Sequence, residues 1–263
     1  MKRFDNTVAV VTGASSGIGR QLAMDLARRG AVVVGIARRA ALLEQLRVEL
    51  RTINDRSDAV VCDVADTDYY IATLGDVERR VGRIDVLVNN AGIEQPTPLT
   101  AGSTNLEPYR RMLAVNYLGA VAGTLAVLPA MLERGSGVIA NMCSDVARAP
   151  GPRESAYAAS KAALAAFTES VAHEVAPKGV RLHIMYPGWV PTAMGMAGAE
   201  EHDRLPPKLV RRTEAQVSER VLERLGHRRI DINAAWLPLL APIGRTLLPS
   251  AYQRGMQRQS ERI

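Results

Sequence analysis

Tyr157 and Lys161 stand four residues apart in Ser155-Ala156-Tyr157-Ala158-Ala159-Ser160-Lys161, which opens an alanine-rich segment running to Pro177. On a helix this spacing stacks the two side chains one turn apart on the same face, an ammonium beside a phenol. At a separation of ~5 Å and an effective dielectric of ~20, Coulomb's law favours the phenolate by roughly 3 kcal/mol. That would bring a phenol down from ~10 by about 2 pH units, toward the range where a general acid or base works. Ser144, thirteen residues earlier at the end of an apolar run, offers a hydroxyl to the same place. A Tyr–Lys pair at this spacing is also an ordinary helix-surface contact, so the pair needs support from the rest of the chain.

Support comes first from Gly13-Ala14-Ser15-Ser16-Gly17-Ile18-Gly19, which follows the short β-branched run 7–12 and leads into an amphipathic segment ending at Arg29-Gly30. Glycines at a strand-to-helix turn let the backbone approach a pyrophosphate, which the helix N-terminus stabilises with its free N–H groups and dipole. The spacing G-x-x-x-G-x-G differs from the common dinucleotide fingerprint, and the loop alone reads equally as a glycine-rich turn without a ligand. The next apolar run, 31–37, ends at Arg38-Arg39, with no Asp or Glu between Arg38 and Glu44. Arg38 lies nineteen residues past Gly19, where such a unit meets the adenosine ribose. A carboxylate there suits the 2′-hydroxyl of NAD, whereas arginine matches a 2′-phosphate in shape and charge, so NADP (NADPH) is expected over NAD. The alternative, two solvated arginines at a helix start, places cations where they oppose the helix dipole.

The elements that must position these groups follow in alternation. A helix over about 40–53 is followed by strand 59–62, ending in Asp63-Val64, and by a helix over about 67–81. Strand 84–88 meets Asn89-Asn90-Ala91-Gly92, and a long helix runs through Asn116 to about Arg134. Strand 138–142 leads to Ser144, then come the Tyr157 helix, strand 180–186 and the turn Pro187-Gly188-Trp189-Val190-Pro191-Thr192. Strand–helix alternation without an internal repeat predicts the α/β class: a single doubly wound, Rossmann-type domain with a parallel sheet of about seven strands. Ligands of such sheets bind at the carboxyl ends of the strands, where every motif named above falls.

With these residues in order and spacing, the chain resembles the short-chain dehydrogenase/reductase family over about residues 7–192. The resemblance rests on Thr12-Gly13-x-x-x-Gly17-x-Gly19, Asp63, Asn89-Asn90-Ala91-Gly92, Asn116, Ser144, Tyr157-x-x-x-Lys161 and Pro187-Gly188. It implies that Tyr157 exchanges the proton of a carbonyl or alcohol oxygen held by Ser144. Lys161 would bind the nicotinamide ribose and tune Tyr157, and Asn116 would hold a water chain. By the same resemblance the cofactor would meet the glycine loop (Gly13, Ser15, Ser16, Gly17, Ile18 and Gly19) at its pyrophosphate. Asp63 and Val64 would meet the adenine, Asn90, Ala91 and Gly92 the adjoining ribose region, and Pro187, Gly188, Val190 and Thr192 the nicotinamide. Arg38 looks like the reader of the 2′-phosphate, helped by Ser15 and Arg39, while Asn89 is expected to steady the sheet. The implied function is interconversion of a ketone and a secondary alcohol with NADP. A sensor that binds NADPH without turnover is the alternative.

The chain departs from the family pattern at its end. No aspartate-glycine-glycine closing sequence appears. Instead 230–232 reads as the last strand, followed by Trp236-Leu237-Pro238-Leu239-Leu240, Ile243 and Leu247-Leu248-Pro249. Those leucines are expected to pack on the sheet edge as ordinary core, or else to form a peripheral membrane or partner-binding element. Residues 204–263 hold twelve basic and five acidic residues, against 21 and 22 in the remainder, so the excess charge of +6 is C-terminal. A solvated basic tail and an anionic membrane or acidic partner both fit this asymmetry, whereas nucleic acid does not, for want of a motif or aromatic platform. The boundaries are therefore a single domain over 1–263, with a core at 7–192, a substrate lid at 193–212 and a divergent basic extension at 226–263.

In the lid, Met194 and Met196 among glycines suggest an adaptable wall for a bulky, lipophilic substrate, steroid-, retinoid- or 3-oxoacyl-like. A chain of 263 residues, 47% apolar and 23% charged, can bury one large core. Cys62 and Cys143 suggest a reducing, cytoplasmic setting, peripheral to a membrane if the tail binds one, and no metal site. The histidines, 173, 183, 202 and 227, lack ligand spacing. The run after Met1-Lys2-Arg3 is too short for a signal peptide, no apolar run approaches a membrane span, and a homodimer or homotetramer is expected.

Overall fold

Seven strands form one sheet in the computed structural model, which describes residues 4–99, 102, 104–201 and 205–260. They are β1 (Val8–Thr12), β2 (Val32–Ala37), β3 (Asp58–Val61), β4 (Val86–Asn89), β5 (Gly137–Met142), β6 (Val180–Tyr186) and β7 (Asp231–Asn233). All neighbours pair in parallel, in the order β3-β2-β1-β4-β5-β6-β7. Every residue of β1 and β2 is buried, as β-branched runs covered on both faces must be.

Helices α1 (Gly17–Arg28), α2 (Ala40–Ile53) and α8 (Glu214–Arg224) cover one face, inserting Leu22, Leu26, Leu43, Leu46, Val217 and Val221. The other face is covered by α3 (Thr67–Val81), α5 (Gly119–Glu133) and α6 (Ser155–Val175), through Tyr70, Leu74, Val127, Met131 and Ala172. Between them in the chain come α4 (Glu107–Leu113) and α7 (Ala193–Glu201), and the chain closes with α9 (Leu240–Leu247) and α10 (Pro249–Ser260). Strand order reverses between β1 and β4, and a crevice opens there at the carboxyl ends.

Four expectations change. The long helix before Arg134 is α4 and α5 joined by a wide π turn at Ala114–Leu118, which contains Asn116. The combined stretch Glu107–Glu133 is long enough to cross a membrane and contains an 18-residue window of mean hydropathy 1.6, although 50% of that window is buried inside the fold. The sequence hid this because α5 is apolar nearly all round, as a helix caught between a sheet and its neighbours is.

The last strand starts one residue later than expected, at Asp231, and is short, so it offers little surface to pack on. The leucines beyond it are accordingly not core. Trp236 is 58%, Leu240 50%, Ile243 53% and Leu247 72% exposed. α9 packs chiefly on α10 and on the turn that precedes it.

His183 is structural. Its Nδ1 meets the Arg229 carbonyl at 3.0 Å and its Nε2 accepts the Gly226 N–H at 2.9 Å, and burial lowers its pKa to about 4. His202, lid residues 202–204 and Met1–Arg3 lie outside the described residues.

Candidate active site

A cleft of about 650 Å³ lies over the carboxyl ends of β1, β2, β4, β5 and β6, within the range of small-molecule sites. Its floor is the glycine loop. Gly13 has φ +66°, and a Cβ there would stand 2.8 Å from Asn90 Nδ2 and 2.9 Å from Ala91 Cα. A Cβ on Gly19 would fall 2.5 Å from the Gly13 carbonyl. Glycine at these positions is therefore a steric requirement of the turn, and it leaves the backbone bare toward the cleft. Ser16 precedes the first turn of α1 without a side-chain cap, and that turn carries no acidic residue, so its N–H groups stay available to an anion.

Thr12 ties the loop to the next strand. Its Oγ1 accepts the N–H groups of Asn90 and Ala91, both at 3.0 Å, while Asn90 Nδ2 donates to the Thr12 carbonyl at 3.0 Å. Asn90, Ala91 and Gly92 thus line the cleft as a fixed turn, with the Asn90 amide nitrogen spent on backbone. Asn89 points into the core, where Nδ2 donates to Asn141 Oδ1 at 2.8 Å and Oδ1 accepts from Tyr70 at 3.3 Å.

The two arginines after β2 behave differently. Arg39 lies across the glycine loop and donates to Ser15 Oγ through Nη2 at 2.9 Å and to Ser16 Oγ. Arg38 is half-exposed and contacts Asp63 Oδ2 at 3.4 Å. The cluster facing the end of the loop is therefore Arg39 with two hydroxyls, and Arg38 and Asp63 flank it. Asp63 and Val64 line the same end of the cleft.

At the other end stand Ser144, on the turn after β5, and Tyr157 and Lys161, on the first turns of α6. Lys161 is buried. Its Nζ donates to the Met142 carbonyl at 2.8 Å and lies 5.8 Å from the centroid of the Tyr157 ring. Burial lowers the Lys161 pKa to about 8, opposed by Cys143 and Glu94. Burial also raises the Tyr157 phenol well above its ordinary value, with the Glu94 carboxylate adding to the rise and a hydrogen bond with Ser144 opposing it. The lowered phenol expected from the spacing is thus corrected: desolvation outweighs an ammonium that is already bound to a carbonyl. A protonated phenol facing a cleft is equipped to give a proton.

Asn116 is buried behind these groups and does not line the cleft. Its side chain brackets Ile93, accepting from N at 2.8 Å and donating to O at 2.9 Å, and also donates to Ser160 Oγ at 3.0 Å. The Ser160 hydroxyl in turn donates to the Tyr157 carbonyl at 2.7 Å. The π turn widens the helix enough to aim this side chain inward, a recurrent use of such turns. Gly92 keeps the gap between Asn116 and Lys161 open, since a Cβ there would stand 3.3 Å from Oδ1 and 3.4 Å from Nζ.

The segment 187–195 closes the top. Gly188 has φ +73°, Trp189 N donates to the Val210 carbonyl at 3.0 Å, and Thr192 Oγ1 accepts from Gly195 N at 3.2 Å. Pro187, Gly188, Val190 and Thr192 all line the cleft, as does Met194. Met196 does not, because on α7 it falls half a turn away.

The sequence reading missed Glu94, Asp145, Glu154, Val210 and Pro238, which also line the cleft. Glu94 and Asp145 sit beside named motifs and could have been picked out. Val210 and Pro238 arrive only through tertiary folding. Asp145 is pushed up to about 6 by burial, against the pull of Arg148 and the Gly188 N–H.

Comparison with known proteins adds to this geometry. The profile of the short chain dehydrogenase family matches residues 7–203. The chain is similar to short chain dehydrogenase MYCFIDRAFT_6125 of Pseudocercospora fijiensis, 38% identical over 73% of this chain and 62% of that protein's length. It is also similar to a farnesol dehydrogenase of Aedes aegypti, 39% identical over 73% of this chain and 80% of the other. Among solved structures, a short-chain dehydrogenase from Streptomyces avermitilis superposes with a TM-score of 0.79 at 28% identity, over 97% of this chain and 98% of that one.

Proposed function

Given that this chain belongs to the short-chain dehydrogenase/reductase family and is an oxidoreductase of the alcohol–carbonyl couple using a nicotinamide dinucleotide, we propose that it is an NADP-dependent reductase of bulky, lipophilic ketones. The observation that carries the reading is one cleft with Arg39, Ser15 and Ser16 grouped at one end and Ser144, Tyr157 and Lys161 at the other. The glycine loop, whose bare backbone a Cβ would fill, together with the uncapped start of α1, fits a pyrophosphate. The two arginines fit a 2′-phosphate.

When bound, NADPH supplies a hydride to the carbonyl carbon. Tyr157 gives its phenolic proton to the oxygen that receives negative charge, and Ser144 holds that oxygen in line with the phenol. Lys161 keeps a positive charge at neutral pH beside the phenol and so stabilises the phenolate left behind. Asn116 fixes Ile93 and the start of α6, so its role is to position.

The substrate reading rests on Ile93, Val146, Trp189, Met194, Val210 and Pro238, which give the cleft apolar walls. Glu94 and Glu154, close enough to act on the Tyr157 charge, favour a neutral ketone over an anionic one. A relative named for farnesol, a lipophilic alcohol, points the same way. Exposed Leu113, Leu118 and Leu125, on α4, the π turn and α5, support self-association as a homodimer or homotetramer.

A ladder of neutral ketones graded by chain length and ring size tests the substrate class. NADPH oxidation is expected to rise in kcat/KM by about fourfold per buried methylene, at ~0.8 kcal/mol each. Better turnover of small polar carbonyls than of long or ring-bearing ones would defeat this reading.

A further inference from the structure

Beyond the catalytic cleft, the outer edge of the sheet carries an arginine-lined basin of about 460 Å³ beside β7. Arg212, Arg220, Arg224, Arg228 and Arg229 line it with His227, and Trp236 and Leu239 complete its wall. Among the described residues the one carboxylate that lines it is Asp231, which Arg148 engages, while Glu223, outside the lining, pairs with Arg220 at 3.7 Å. Arg212 and Arg220 are partly spent on the carbonyls of Ala234 and Asn233, while Arg224, Arg228 and Arg229 are exposed at the end of α8 and the turn after it.

From this wall an apolar face runs on along α9. Trp236, Leu240, Ile243 and Leu247 recur at steps of four, three and four, which is one side of a helix, and all are exposed. Residues 232–260 contain three arginines and no carboxylate.

Guanidinium forks match phosphate oxygens, tryptophan favours the boundary between polar and apolar layers, and a helix with one apolar face lies flat in that boundary. A second copy of the chain fits less well. A two-fold contact would set the same arginines against each other, and like charges across an interface oppose assembly. We infer that the arginine basin and the α9 face together form a docking surface for an anionic phospholipid bilayer. The arginines meet lipid phosphates while Trp236 and the leucine ladder enter the acyl boundary. Pro238 lines the catalytic cleft between Trp236 and Leu239, which line the basin, so one turn borders both. Docking therefore holds the cleft mouth next to the bilayer.

The test is co-sedimentation of the full chain with vesicles of phosphatidylcholine alone and of phosphatidylcholine with about one-third phosphatidylglycerol. Anionic vesicles should carry down roughly tenfold more protein than neutral ones. Arg224→Glu/Arg228→Glu and, separately, Leu240→Asp/Leu247→Asp should each lower this by about tenfold or more, with melting transitions like the wild type. Equal binding to both vesicles, or binding indifferent to the leucine substitutions, overturns the inference. So does competition by inorganic phosphate at a concentration that leaves ionic strength unchanged, which would make the basin a site for free phosphate. Wild-type protein that self-associates through these residues and ignores both vesicles would assign the face to a second copy and overturn it as well. None of these readouts depends on turnover.

Discussion

Tyr157→Phe lowers turnover by about 10²–10⁴-fold while leaving NADPH affinity within about twofold of the wild type, the range for loss of a positioned proton donor. The ring packs with Met112 and Ala156 and against Ile93 and Val146, contacts that phenylalanine keeps. The hydroxyl is a different matter. It is the group whose charge state burial, Glu94 and Ser144 all act on, and burial holds it protonated. Removing it leaves Ser144 one partner short, at about 1 kcal/mol of stability, too little to unfold the domain. The decisive comparison is kcat/KM beside an NADPH binding curve on the same preparation. Residual activity within about tenfold of the wild type would mean that the proton reaches the oxygen by another route.

Arg39→Asp is the second large effect. Charge-assisted hydrogen bonds to a phosphate contribute about 1.5–3 kcal/mol, so losing them weakens NADPH by roughly 10- to 150-fold. The new carboxylate repels the 2′-phosphate and can accept from the 2′-hydroxyl of NADH. The ratio of kcat/KM for NADPH over NADH should therefore fall by about 10²–10³. Arg38→Asp should shift it less, because Arg38 already leans on Asp63 while Arg39 spans Ser15 and Ser16. A ratio unmoved by either substitution would place recognition of the 2′ position outside this cluster.

The contrast between those two arginines shows where sequence reasoning stops. That a cation lies at the end of β2 is visible in Arg38-Arg39, since a run of buried β-branched residues must end where the polar residues begin. Which of the two turns over the glycine loop depends on how α2 leaves the strand, and nothing local encodes that. The sheet itself was legible because each strand is a short apolar run and each connection is long enough for a helix.

The proton chemistry was legible only by half. The i, i+4 spacing put Lys161 beside Tyr157, but the sequence carries no measure of burial, and burial reverses the direction of the phenol's shift. The substrate wall was partial for a related reason: Met194 and Met196 share a motif, yet α7 turns only the first into the cleft. The end of the chain was the least legible part. Leucines at helical spacing read as core wherever a surface exists to receive them, and β7 is too short to supply one.

The central claim, hydride transfer from NADPH to a ketone with Tyr157 supplying the proton, is tested most directly by following an isotope. NADPH deuterated at C4 of the nicotinamide is incubated with the most lipophilic neutral ketone of the ladder, and the product is examined by NMR and mass spectrometry. The account predicts an alcohol with one deuterium at the carbinol carbon and an oxygen-bound hydrogen from solvent, formed in step with NADPH consumed and suppressed in Tyr157→Phe. Tight NADPH binding with no labelled alcohol from any ketone of the ladder would contradict it.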